Sequence, residues 1–145
     1  MSRVAVSVFV PAPIGAVWAD VARVEDHVEW MADARRIDFL GDRRSGVGTR
    51  IAVETRFGPL RTTDVMEFTE WSEPVAMAVS HQGMFTGTGR FELVAEADGT
   101  RFSWTEDVRF PWYLGGPLGA AVARPVLRWV WRRNLDRFSA RFSGP

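Results

Sequence analysis

The sequence predicts an α+β fold: one curved antiparallel sheet of about seven strands wrapped around one long C-terminal helix, with two short helices after strand one. Three observations predict it. From Gly119 the chain runs to Gly144 without another glycine, and Leu127, Trp131, Leu135, Phe138 and Phe142 recur at steps of three and four, on one helical stripe. Most of the chain before it alternates apolar and polar residues between short turn signals, the period of strands. A helix of about 25 residues is about 38 Å long, more than a small domain needs merely to close its core, so it must lie along the sheet.

Val4, Val6, Val8 and Val10 alternate with Ala5, Ser7 and Phe9 in a first strand, which Pro11 and Pro13 stop. Pro13 suits the first position of a helix, where its missing N–H costs nothing. Ile14, Val17, Trp18 and Val21 stand at i, i+3, i+4 and i+7, a short amphipathic helix. A second follows Arg23, with Val24, Val28 and Met31 inward and Glu25, Asp26 and Glu29 near its positive end. Trp30 closes the gap between it and the sheet. Strands are expected over 37–40, 49–57, 61–71, 75–81, 85–95 and 100–110, and their short turns, Asp98-Gly99 the clearest, make an antiparallel meander.

Pro125 lies about two turns inside the long helix and removes a backbone hydrogen bond, so a kink or restart is expected there. Leu118, Val122, Val126 and Trp129 form a second apolar stripe opposite the first. Either the proline resets the helical phase and both stripes reach the core, or the second is an exposed patch that meets a membrane surface, a second subunit or a cavity mouth. Arg133, Arg137 and Arg141 fall on a solvated flank. With no linker or repeat, residues 1–145 are expected to form a single domain.

Composition removes several chemistries. The 18 basic residues balance 18 acidic ones, so no overall field draws the chain to nucleic acid or anionic lipid. All 18 are arginine, which excludes a lysine Schiff base, and the absence of cysteine excludes disulfides, thiolate metal sites and thiol nucleophiles. The N-terminus reads as a strand and not as a signal peptide, and no apolar run approaches a membrane span. A cytoplasmic protein without stable membrane insertion, a monomer or homodimer, is the expectation. Seven Trp and 10 Phe against one Tyr make bulky, dry walls with few hydroxyl handles.

On strands whose apolar face points inward, inward polar residues are the informative ones. Glu106 shares parity with Phe102, Trp104, Val108 and Phe110, and a desolvated carboxyl there is a candidate general acid or base. Its bland alternatives are an arginine partner or a wet sheet rim. His81 shares parity with Met77 and Val79 and is a second acid/base candidate, though its place near a strand end favours the surface. Asp64 shares parity with Met66 and Phe68, but a competing register puts Val65 inside. His27, among acids on a short helix, is expected to be solvated. Arg56, Arg90 and Arg109 read as outer-face charges. The glycines of FTGTGRF and of Gly46-Val47-Gly48 precede no helix, so they read as bends or bulges and not as phosphate cradles. No ligand spacing for a metal appears, and neither metal nor cofactor is expected.

The order of elements, with several local motifs, resembles the START-like helix-grip superfamily, the group of polyketide cyclase/dehydrase and lipid-transport domains. The residues that carry the likeness are Ala12-Pro13 through Val17-Trp18, Trp30, Gly46-Val47-Gly48-Thr49, Asp98-Gly99-Thr100-Arg101, and the final helix with Asn134-Leu135. The resemblance covers essentially the whole chain. It implies an apolar ligand held between the concave sheet face and the long helix. Candidate wall residues are Trp30, Val53, Phe57, Met66, Phe68, Met77, Phe91, Trp104, Phe110, Trp112, Leu127 and Trp131, in an aromatic and methionine set that is first of all core. The loop WYLGGPLG suits a gate.

Three functions remain open at this point. A carrier or binding protein for a polyketide, aromatic or lipid comes first. A cyclase/dehydrase-type enzyme using Glu106, with His81, comes second. An interaction module that docks a protein or membrane through the C-terminal helix comes third.

Overall fold

The computed structural model describes residues 2–142. Strand β1 (Ser2–Val10) leads into helix α1 (Ile14–Val21) and a 3-10 helix (Val24–Glu29). Strands β2 (Ala34–Phe39), β3 (Arg50–Phe57), β4 (Leu60–Ser72), β5 (Ala76–Gln82), β6 (Thr86–Glu96) and β7 (Gly99–Arg109) follow, then helix α2 (Gly116–Ala140). The seven strands form one antiparallel sheet in the order β1-β7-β6-β5-β4-β3-β2. The meander closes through β7, whose two edges are taken by β6 and β1. Asp98 at φ 68° supplies the left-handed turn residue that the Asp98-Gly99 hairpin needs.

Alternation decides which face is buried. Val4, Val6 and Val10 of β1 and Phe102, Trp104 and Glu106 of β7 turn to the same side, where α2 lies. Helix α2 packs chiefly along β1, with Leu135 and Phe138 fully buried and the Ser139 hydroxyl donating to the Phe9 carbonyl at 2.8 Å. Trp30, the bridge between the 3-10 helix and the sheet, meets Phe138 at 5.1 Å and Phe102 at 6.1 Å, both edge-on. Phe91 and Phe102 continue the cluster at 5.1 Å.

The structure corrects four expectations. The second short helix is a 3-10 turn that buries Val24 and His27 and leaves Val28 exposed. His27 is therefore core: its Nε2–H donates to the Val21 carbonyl at 2.7 Å, and burial holds its pKa below the ordinary value. Pro125 does not end or rephase α2, which runs unbroken from Gly116 to Ala140. Leu118, Val122, Val126 and Trp129 accordingly stay on the outer face, 59–74% exposed. Arg137 is not simply solvated, since its guanidinium donates to the Trp30 carbonyl at 3.3 Å and to Asn134 Oδ1.

The two stripes of α2 predict opposite sensitivities. Phe138→Ala opens a cavity among Trp30, Phe102 and Phe142 and should cost about 3–5 kcal/mol in chemical denaturation. Leu118→Ala on the outer face should fall within about 0.5 kcal/mol of wild type.

Candidate functional site

Between the middle of α2 and the sheet lies a partly open cavity of about 380 Å³. Its wall is mainly apolar: Val53, Phe57, Met66, Phe68, Met77, Phe91, Trp104, Phe110, Leu127 and Trp131 all face it. Two of the candidate wall residues do not. Trp30 is 1% exposed and packs beneath the cavity in the aromatic core, and Trp112 is 86% exposed on the turn before α2. Stacking of Trp104 on Trp131, centroids 5.3 Å apart, joins β7 to α2 and closes one end.

Besides His27, whose ring is bonded to the Val21 carbonyl, and Arg90, the ionisable residues that line this apolar space are Asp33, Asp64, His81 and Glu106. Glu106 and His81 are brought together. His81 Nε2–H donates to Glu106 Oε2 at 2.8 Å, with side-chain exposures of only 8% for the glutamate and 14% for the histidine. The second oxygen, Glu106 Oε1, accepts from Trp104 Nε1–H at 3.0 Å. Burial alone would depress the His81 imidazole, but the Glu106 charge and hydrogen bond, with a contribution from Asp64, outweigh it and hold the pKa above the ordinary value.

His81 and Glu106 sit on β5 and β7, two strands apart, with β6 between them. Glycines make the meeting possible. His81 pairs with Gly87 and Glu106 pairs with Gly89, so the β6 positions under both side chains carry no side chain. A Cβ on Gly89 would stand 2.4 Å from Glu106 Oε1. A Cβ on Gly87, at φ 131°, would collide with the Asp107 carbonyl. These glycines clear a floor across β6, a role that the reading as bends did not anticipate.

The register with Asp64 inside holds: the residue is 5% exposed, and Asp64 Oδ1 accepts from Thr62 Oγ1 at 3.1 Å and from the Met84 N–H at 3.0 Å. Asp33 is a site residue without a sequence signal, because its partner is 101 positions away. Asn134 Nδ2 donates to Asp33 Oδ1 at 2.7 Å, while Asn134 Oδ1 accepts the Ala32 N–H at 3.1 Å. The fully buried asparagine thus fastens α2 to the start of β2. Burial pushes the Asp33 carboxyl above its ordinary range; the Asn134 and Trp131 hydrogen bonds oppose this, and the Glu106 charge adds to it. The pocket therefore offers a polarised imidazole–carboxylate pair and, near it, a second carboxyl driven toward its neutral, donor form. Arg90 borders the cavity, but its guanidinium is turned to Glu70 and Glu92 on the outer face, each at 2.9 Å.

A family profile described as polyketide cyclase/dehydrase and lipid transport matches residues 1–143. The chain belongs to this family. Solved structures of the same helix-grip fold include a Thermus thermophilus protein, at TM-score 0.82 and 17% identity over 98% of this chain and 97% of that one. A START superfamily protein from Mycobacterium smegmatis matches at TM-score 0.77 and 17% identity, covering 97% of each chain. The ZhuI aromatase/cyclase of a Streptomyces species matches at 0.73 and 18% identity, over 98% and 93%. No curated protein sequence matches the chain. At these identities the structures establish the fold of this polyketide cyclase/dehydrase family member, and its chemistry has to be argued from its own side chains.

The His81–Glu106 bond makes a signed prediction. Its stabilisation is full below the unfolded histidine value of 6.5 and is lost as pH rises through the raised folded value. The stability difference between wild type and Glu106→Gln should therefore be larger near about pH 5.5 than near about pH 9. NMR titration of His81 should give a lowered pKa in Glu106→Gln and also in Gly89→Ala, where the new methyl displaces the carboxylate.

Proposed function

We propose that this protein binds a small hydrophobic or amphipathic molecule, of polyketide, aromatic or lipid type, in the cavity between the sheet and α2. The observation that carries the reading is the cavity itself. Its volume of about 380 Å³ falls within the ~300–1,000 Å³ in which proteins hold small ligands, and its apolar walls converge on a few polar groups. Burial of ligand CH₂ groups, each about 0.8 kcal/mol, drives binding. The polar groups fix orientation.

Their charge narrows the ligand. Three carboxyls and two imidazoles line the cavity, while the Arg90 guanidinium is turned away from it. The cation among them, the His81 imidazolium, is already paired with Glu106, so an anionic headgroup would be buried beside carboxylates without a further cation to offset it, a cost that a neutral or basic group escapes. The ligand is therefore a ketone, alcohol, phenol or amine and not a free carboxylate. The proton-transfer reading is supported by one specific arrangement: His81 and Glu106 share a hydrogen bond at the cavity wall, where the pair would take up the proton from the carbon next to a ketone of a bound polyketone.

Calorimetric titration with 1-decanol, decylamine and decanoate tests the binding reading. The alcohol and the amine should bind at least about tenfold more tightly than the carboxylate, a difference of about 1.4 kcal/mol. Failure of all three, together with failure of aromatic polyketones, contradicts the cavity's role. For a polyketone that does bind, turnover that disappears in Glu106→Gln with affinity retained assigns proton transfer; no turnover in wild type leaves a carrier.

A further inference from the structure

The described residues include eleven large exposed hydrophobics, and six of them fall in one 18-residue span: Trp112, Tyr113, Leu118, Val122, Val126 and Trp129. Such clustering is a patch and not the scatter that any surface shows. Within α2, Leu118, Val122, Val126 and Trp129 recur at steps of four, four and three. They form one stripe on the face opposite Leu127, Trp131, Leu135 and Phe138. The charge around them is one-sided. Residues 110–136 contain four arginines, Arg124, Arg128, Arg132 and Arg133, and one acid, Asp136, in a chain whose formal net charge is zero. All four are exposed, and Arg133 lies over the Trp129 ring at 5.1 Å.

We propose that this outer face of α2 docks on an anionic lipid bilayer surface. An apolar stripe carrying tryptophan and edged with arginine lies at the level of lipid headgroups, its side chains reaching the acyl boundary and its guanidinium groups the phosphates. No helix among the described residues is long and apolar enough to cross a membrane, so the contact is peripheral. A second copy of this chain fits the face less well. A two-fold pairing would set Arg132 and Arg133, which stand nearest the stripe, against the same residues of the other copy, like charge on like charge. Docking also orients the molecule, because Val126 both belongs to the stripe and lines the cavity, with Leu114, Ala123 and Leu127 beside it. The cavity mouth would then face the lipid. The docking itself does not depend on the cavity being occupied.

The test is cosedimentation of the full chain with vesicles of phosphatidylglycerol and phosphatidylcholine, set against vesicles of phosphatidylcholine alone. The protein should pellet with the anionic vesicles and be released by about 0.5 M salt, where screening reaches only a few ångströms. Arg128→Gln with Arg132→Gln should weaken binding about 25-fold, on the order of fivefold per arginine. Val122→Glu and Trp129→Glu should abolish binding while their melting curves match wild type, since neither side chain is part of the core. Absence of binding to the anionic vesicles overturns the proposal, as does equal binding to both vesicle types that these variants leave intact. A dimer in sedimentation velocity that Trp129→Glu dissolves gives the face to a second copy and overturns it too.

Discussion

Helix α2 is packed tightly through its C-terminal half and stands off the sheet along its middle, and the rest of the structure depends on that unequal contact. Leu135 and Phe138 lock onto β1 and the aromatic cluster, and Asn134 ties the helix to the start of β2 through Ala32 and Asp33. Around Ala123, Val126 and Leu127 the same helix borders empty space. A helix bonded to the sheet along its whole length would fill that space with side chains, as close-packed interiors do. Here large aromatic residues frame a void that they do not fill.

Within the void, chemistry is set by what is missing from β6. A side chain at position 89 would displace the Glu106 carboxylate, and one at position 87 would collide with the β7 backbone. Without them, an imidazole and a carboxylate two strands apart bond directly, and the carboxylate favours the charged form of the imidazole. The same low-dielectric surroundings act in the opposite direction on Asp33, which has amide and indole donors but no cation. Asp33 is thus driven toward its neutral form beside an imidazole that Glu106 holds toward its charged one.

The sheet, its meander order and the long helix were legible in the sequence because they rest on periodicity. The alternation of Phe102, Trp104 and Glu106 and the three- and four-residue steps of Leu127, Trp131 and Leu135 are local signals that tertiary contacts reinforce. Glu106 was legible for the same reason, as a polar residue on an apolar face. His27 was not, because only the fold shows that the Val21 carbonyl offers its ring a buried acceptor. Asp33 was not, because its environment is made by Asn134, far along the chain. Gly87 and Gly89 were visible as glycines, but that His81 and Glu106 flank them from both sides is a matter of strand order and register, which composition does not encode. The second stripe of α2 was visible as a stripe; its exposure follows from a helix that passes Pro125 without changing phase.

The most direct measurement is where a neutral guest sits. In a sample saturated with 1-decanol, intermolecular NOEs should connect the chain protons of the ligand to the methyl groups of Val53, Met66 and Leu127, which face the cavity from β3, β4 and α2. NOEs confined to Leu118 and Val122 on the outer face, with none to these three, would contradict a cavity that holds the ligand.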